Sequence, residues 1–441
     1  MAIAGERPGA RLRRRASASV PALLRGPDFR RYWTAQTVSM FGDQISSVAL
    51  PLAAVLVLKA GAVQMGYLTA LLWLPSLLFG MHAGAWVDRR ARRRAVMIAA
   101  DLGRFTLLAS VPVAYAIGVV TLLQLYVVAF CSGLLAVFFD VSDSTLFVAL
   151  VPPQEYVEGN SLLHGSRALS FVGGPSVAGV LVQWFTAPFA LVADAVSFLG
   201  SALLLHRVRP VEPPPAPAEE RALWAGVRFI VRSPIVRPAL CAVATINFFD
   251  FALVALFVLY AVRGLHVQPG ALGLVLGAGA VGGLLGAMLT KRLSRAIGLG
   301  WTFLAGCIVF PAPLLLVPMA GGPRPVILGM LFLAEFASGL GVMILDISIG
   351  SIFAAVIPDA VRARVMGAFQ AVNYGTRPAG ALAAGALASV VGVRATLWAA
   401  AAGAMLGFLW LLPSQVPRFA SQPAAADQHA RANSRARLTS M

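Results

Sequence analysis

The sequence predicts an all-α membrane protein with twelve transmembrane helices in two pseudo-symmetric six-helix halves. Three observations predict it. The 441-residue chain is 59% hydrophobic and only 12% charged, with a mean hydropathy of +0.81, whereas soluble domains devote about a quarter of their residues to charge. Apolar runs of about 20 residues recur, each long enough to cross a ~30 Å hydrocarbon core. Backbone in lipid must bond to itself, so these runs are helices rather than open strands. Finally, the basic residues gather between the runs, above all in Gly84-Ala-Trp-Val-Asp88-Arg89-Arg90-Ala-Arg92-Arg93-Arg94, which no bilayer core can hold and which therefore reads as a charged turn between two spans.

Residues 1–31 form a basic tail. Span 1 is expected over about Tyr32–Leu58, span 2 over Met65–Val87, span 3 over Ala95–Gly118 and span 4 over Leu122–Val151. Pro152-Pro153 ends span 4, because proline lacks a donor and pushes its predecessor out of helical geometry. Span 5 covers about Ser161–Val182 and span 6 about Pro188–Leu205. A Pro-rich linker with an amphipathic piece at Glu219–Arg232 separates the halves, which gives 32–206 as the N-terminal half, 207–234 as the linker and 235–413 as the C-terminal half. Spans 7 to 12 fall at about 236–262, 270–290, 298–318, 325–350, 366–390 and 395–412, and a basic tail runs over 414–441.

Twelve crossings with both tails on one side place 28 Lys and Arg on the side of Arg89. Only four (Lys59, Arg263, Arg324 and Arg394) fall opposite, and Arg104, Arg167 and Arg377 lie within spans. Short loops rich in Lys and Arg stay cytoplasmic, so both termini are expected inside and the protein multi-pass in the plasma (inner) membrane. No cleavable signal peptide is evident. The halves also resemble one another. Asp140-Val-Ser142 through Pro152 aligns without gaps on Asp346-Ile-Ser348 through Pro358, and Gly84 through Arg90 aligns on Gly286 through Arg292. One six-helix unit used twice, with a site between the copies, is the layout of an alternating-access transporter.

Gly84 through Arg93 resembles the signature loop between helices 2 and 3 of the major facilitator superfamily, Gly-x-Leu-x-Asp-Arg-x-Gly-Arg-Lys/Arg. Gly84, Asp88, Arg89, Arg92 and Arg93 match, while Trp86 and Ala91 depart from it. The degenerate copy at 286–295 and the 6+6 layout extend the resemblance over about residues 25–413, and the chain looks most like bacterial efflux members of the enterobactin-exporter and transmembrane secretion effector type. The resemblance implies that Asp88 faces the start of helix 11 and that its neighbouring arginine pairs with helix 4. Arg92 is then expected to reach Asp140 or Asp143, which share one face of span 4 at i, i+3, in a latch that closes the cytoplasmic side. Arg90 and Arg94 are read as topology signals. Gly174-Pro175 with Gly179 in span 5 resembles the kinked Gly-Pro stretch of the family's antiporters, which favours export.

Ionisable residues inside a membrane are costly and are functional candidates by default. Asp43 lies near the middle of span 1, Asp250 at similar depth in span 7 and Glu335 near the middle of span 10; these are the expected proton or substrate carboxyls, the alternative being acids that only tie helices together. Asp101, Arg104, Arg167, Asp346 and Arg377 are expected in structural ion pairs. Asp194 and His82 stand isolated and read as packing or pore-lining residues.

Other classes are excluded. The +17 net charge sits in loops and tails, where orientation explains it, so no nucleic acid is expected as a partner. Cys131, Cys241 and Cys307 lie in apolar runs without metal-like spacing, so neither metal nor disulfide is expected. Gly277-Ala-Gly279-Ala-Val-Gly282 fits a dinucleotide pattern but lacks the preceding strand; its glycines read as helix-packing positions, Gly279 with Gly283 and Gly282 with Gly286. Neither Lys59 nor Lys291 follows a Walker loop, so no nucleotide or other cofactor is expected. Nothing resembles a catalytic triad, and the chain is not read as an enzyme. The expectation is a monomeric secondary transporter exporting a small amphiphilic or hydrophobic compound, such as a drug-like metabolite or siderophore, driven by the proton gradient (or by Na⁺). Uptake or facilitated diffusion of a small solute, or a non-transporting membrane partner, are the alternatives.

Overall fold

The computed structural model describes residues 21–88, 92–210 and 223–419. The described residues are mostly helical, joined by short turns. The first six long helices are α1 (Pro27–Leu52), α2 (Ala62–Asp88), α3 (Arg93–Ala116), α4 (Leu122–Leu150), α5 (Tyr156–Phe185) and α6 (Ala187–His206). A ten-residue linker helix, α7 (Leu223–Arg232), precedes α8 (Val236–Leu259), α9 (Pro269–Ile297), α10 (Leu299–Val309), α11 (Arg324–Val356), α12 (Asp359–Val391) and α13 (Val393–Met405).

Local chemistry explains the boundaries. The Thr121 hydroxyl accepts from the Gln124 amide and starts α4. Pro152 is extended and α4 stops at Leu150, as the Pro-Pro pair requires. At the end of α6, Arg31 donates to the Arg207 carbonyl at 2.9 Å and Arg94 donates to the Val208 carbonyl. Cations satisfying the last carbonyls of a helix complement its dipole. Arg94 is thus a capping residue as well as a loop charge.

Among the described residues, eleven helices are long and apolar enough to cross a membrane. The expected span 11 is the exception. Its helix, α12, is 33 residues long, but Asp359, Arg362, Arg364 and Arg377 dilute its apolar character. Elsewhere the bounds differ in both directions: α5 starts about a turn before the expected span 5, whereas α10 stops at Val309, ahead of Pro311 and Pro313, well short of the expected 318.

By backbone contacts the chain gathers into two units. One holds the described part of Met1–Glu220 with Val254–Gly277 and Arg377–Arg394; the other holds Ala278–Thr376 with the described parts of Arg221–Leu253 and Ala395–Met441. In the first, α1 packs on α5 and α6, α3 on α4 and α6, and α2 on α4, around a core that includes Phe29, Tyr32, Met97, Leu146 and Leu205. In the second, α10 packs on α11 and the core includes Ile246, Phe303, Ile352 and Val365. There the Gly-rich run of α9 meets α11: a Cβ on Gly282 would overlap the Phe336 carbonyl, and one on Gly339 would overlap Gly279. These are close helix contacts of the small-residue kind. They join α9 to α11.

The repeat is also visible in the backbone. α1 ends in a wide turn over Ala53–Val57, followed by Lys59 at φ 54°, and α8 ends in a wide turn over Tyr260–Gly264, followed by His266 at φ 54°. The amides of Leu58 and Ala60 bond back to Ala53 and Ala54, just as Leu265 and Val267 bond back to Tyr260 and Ala261.

Candidate functional site

The first unit concentrates intramembrane charge where α1, α3, α4, α5 and α6 meet. Arg104 of α3 is 8% exposed and its Nη1 lies 3.8 Å from Oδ1 of Asp43 on α1. The guanidinium also sits 4.6 Å from the Phe198 ring centroid and 5.8 Å from that of Phe139, a setting that holds a cation among apolar groups. The Asp43 side chain is 45% exposed. Its carboxylate is thus only partly covered, in contrast to the guanidinium it faces.

Four further carboxylates surround this pair. Asp143 accepts a hydrogen bond from the Tyr32 hydroxyl at 2.6 Å and another from Gln36 Nε2. Asp140, one turn earlier on α4, is exposed and lies in the field of Arg104, Arg167 and Asp43. Asp101 is fully buried with the Ser201 hydroxyl beside it, and among the described residues neither of its oxygens has a partner at hydrogen-bond geometry. Asp194 is buried on α6, where it accepts from Ser46 and, at 3.1 Å, from Ser197. Gly42 makes that approach possible, since a Cβ there would overlap both Asp194 and Ser197.

Asp194 corrects the sequence reading, which leaves it isolated. It belongs to the same group as Asp43, whose charge acts on it directly. These five aspartates thus lie in the field of Arg104, Arg167 or both. Among the described residues no three His, Cys, Asp or Glu side chains are arranged to hold a metal ion. The chemistry the cluster offers is the exchange of protons and of ion-pair partners.

In the second unit the Glu335 carboxylate lies beside Gly279 of α9, with Asp250 of α8 as its charged neighbour. Asp346, the repeat counterpart of Asp140, is likewise exposed on its helix. Within the first unit, Arg377 of α12 stacks over Trp73 of α2 at 4.3 Å.

The signature loop is only partly described. Arg89 and Arg90 lie outside the described residues, as does the side chain of Asp88, whose backbone closes α2. Gly84 lies inside the last turns of α2, and a Cβ there would meet nothing within 4 Å. Arg93 is buried at the first position of α3, whereas Arg92 is exposed with non-helical backbone. Among the described residues Arg92 makes no ion pair with Asp140 or Asp143. Asp143 is instead held by Tyr32 and Gln36, partners from span 1 that nothing in the loop's sequence indicates.

At the opposite end of these helices, small residues bring backbones together. A Cβ on Gly179 of α5 would lie 2.5 Å from the Pro269 carbonyl and 3.0 Å from Gly273 of α9, and one on Gly66 of α2 would lie 3.1 Å from Gly385 of α12. Pro175 lies inside α5, and Gly174 beside it packs against Gln44 of α1.

A bundle of membrane-length helices with a repeated half and charged residues inside its spans defines a polytopic membrane transporter of the major facilitator type. The chain belongs to the transmembrane secretion effector family, whose profile matches residues 18–438. It is 28% identical over 341 residues to the multidrug efflux pump Tap of Mycolicibacterium fortuitum, a match covering 74% of this chain and 81% of that protein. It is also 25% identical over 384 residues to the uncharacterized MFS-type transporter YfiS of Bacillus subtilis (strain 168), covering 81% and 86%. Among solved structures, a bacterial homologue of the iron transporter ferroportin in an inward-facing state superposes with a TM-score of 0.72 at 18% identity, over 89% of this chain and 99% of that one. At that identity the likeness speaks for the fold alone.

Proposed function

We propose that this protein exports a small amphiphilic or hydrophobic compound by alternating access, as a proton antiporter of the plasma (inner) membrane. In this reading it acts as a monomer with twelve crossings, both termini inside and six-helix halves at 32–206 and 235–413, and performs no covalent chemistry. The observation that carries the reading is the Asp43–Arg104 pair, 3.8 Å apart, with the acid half-exposed and the arginine buried among aromatic rings. A proton arriving on Asp43 neutralises the carboxylate and releases it from Arg104, while Arg104 stays anchored on Phe198. The surrounding Asp101, Asp140, Asp143 and Asp194 keep the region acidic, which draws in protons and disfavours anions. Glu335 and Asp250 form the second candidate group for proton or substrate.

Gating in this reading divides between the two ends. Asp88, Arg89, Arg92 and Arg93 with Asp140 and Asp143 form the cytoplasmic latch in one state, and the Gly179–Gly273 and Gly66–Gly385 contacts close the far side until release. The likeness to Tap supports export over uptake.

The test is transport in inside-out vesicles with an acidified lumen, screening lipophilic compounds while following luminal pH with a dye. Compound-dependent alkalinisation that disappears in Asp43→Asn is the expected result. A flat response, with compound binding still measurable and no response to a Na⁺ gradient, would overturn the exporter reading; a response to Na⁺ alone would replace the coupling ion.

A further inference from the structure

The linker helix α7 presents an unusual outer face. Its inner side is fixed: Ile230 is buried in the core of the second unit, and Gly226 lies so close to the start of α12 that a Cβ would overlap the Arg364 carbonyl. Its C-terminal end is fixed too, because the Ser233 hydroxyl accepts from the Val236 amide at 3.1 Å and so caps α8. α7 therefore lies at the level where two spans begin, along about 15 Å of the bundle's edge.

The outer side joins two chemistries. Val227 and Val231, at i, i+4, are 40% and 56% exposed. Arg228 and Arg232, also at i, i+4, are exposed next to them. These arginines line a cavity of about 460 Å³ together with Phe229, Ser233, Pro234 and Val361, a mostly apolar recess with two guanidiniums at its wall and large enough for a phosphodiester headgroup. Among the described residues neither arginine has an acidic partner, and Asp359 at the start of α12 is taken by Arg362. Two adjacent guanidiniums recognise a phosphate through charge-assisted hydrogen bonds. An apolar strip beside a basic one is what an interfacial helix uses to sit among acyl chains while its cations bind anionic headgroups.

We propose that α7 is an anionic-phospholipid site, in which Arg228 and Arg232 hold the headgroup phosphate and Val227 and Val231 rest against the acyl chains. A lipid is favoured over a soluble phosphate because the exposed valines have no use for a soluble anion. The proposal is independent of what the protein transports.

It is tested by native mass spectrometry of the full chain with added phosphatidylglycerol or phosphatidylcholine. The wild type should retain phosphatidylglycerol in preference to phosphatidylcholine, and Arg228→Gln/Arg232→Gln should weaken that retention by roughly tenfold or more. Arg295→Gln, an exposed arginine away from the cavity, should leave it unchanged. Val227→Ser/Val231→Ser keeps both charges and should weaken lipid retention while folding, checked by circular dichroism, stays intact. Equal retention by the arginine variant, no preference for the anionic lipid, or displacement by millimolar inorganic phosphate would each overturn the proposal.

Discussion

Arg104 meets Asp43 on one side at 3.8 Å and the Phe198 ring on the other at 4.6 Å. The two contacts have different weights. With Asp43 45% exposed, the ion pair contributes on the order of 1 kcal/mol or less, whereas the aromatic contact lies in a desolvated place. Arg104→Gln is therefore expected to fold, with a modest fall in thermal midpoint, yet to lose compound-driven proton movement. Arg104→Lys should recover part of the transport, since it restores charge but not planar stacking. A collapse of folding in both variants, followed by circular dichroism, would show the pair to be structural instead.

Asp194 should behave differently. It is buried and accepts from two hydroxyls, so Asp194→Ala leaves Ser46 and Ser197 without their acceptor and should cost about 1–3 kcal/mol, measured as a drop in midpoint. Asp194→Asn keeps an acceptor and should fold near normally. If Asp194 works with Asp43, the Asn variant will also shift the pH dependence of transport, which a packing role would leave alone.

Glycine positions separate packing from signature. A side chain at Gly179 must push apart the backbones of α5 and α9, so Gly179→Val is expected to destabilise by about 1–3 kcal/mol. Gly84, although it opens the signature stretch, has open space at its Cβ. Gly84→Ala should be stable, gaining up to about 1 kcal/mol from helix propensity. A large loss of stability there would mean that α2 meets a partner at Gly84 in another state of the cycle.

Trp73 carries the Arg377 guanidinium at 4.3 Å. Trp73→Leu should lower stability through lost stacking, by about 1 kcal/mol for a half-buried contact, and Trp73→Phe should retain most of it. Equal midpoints for the two variants would argue against the stacking.

Much of the fold is legible in the residues themselves. Pro152-Pro153 dictates the end of α4, and the glycines of α9 announce close packing. Span 11 is harder to see by hydropathy, because Arg362, Arg364 and Arg377 interrupt it. The candidate site is legible one residue at a time but not as a group. Asp43 and Arg104 stand out as charges in apolar runs, yet their pairing depends on how α1 and α3 pack. Asp194 was hidden for the same reason. A signal did exist, because Asp194, Ser197 and Ser201 recur at i, i+3 and i+7 and line one buried face. Tyr32 and Gln36 gave no such sign, being ordinary residues until tertiary packing brings Asp143 against them.

Lys59 and His266 share a left-handed backbone after matching wide turns, and neither is the glycine that this geometry favours. A conformation costing about 1–2 kcal/mol for such residues is present at both places although one side chain is an amine and the other an imidazole. What the two halves share here is the bend. It is specified by amides reaching back to the end of the preceding helix, so it does not depend on which side chain stands at the left-handed position.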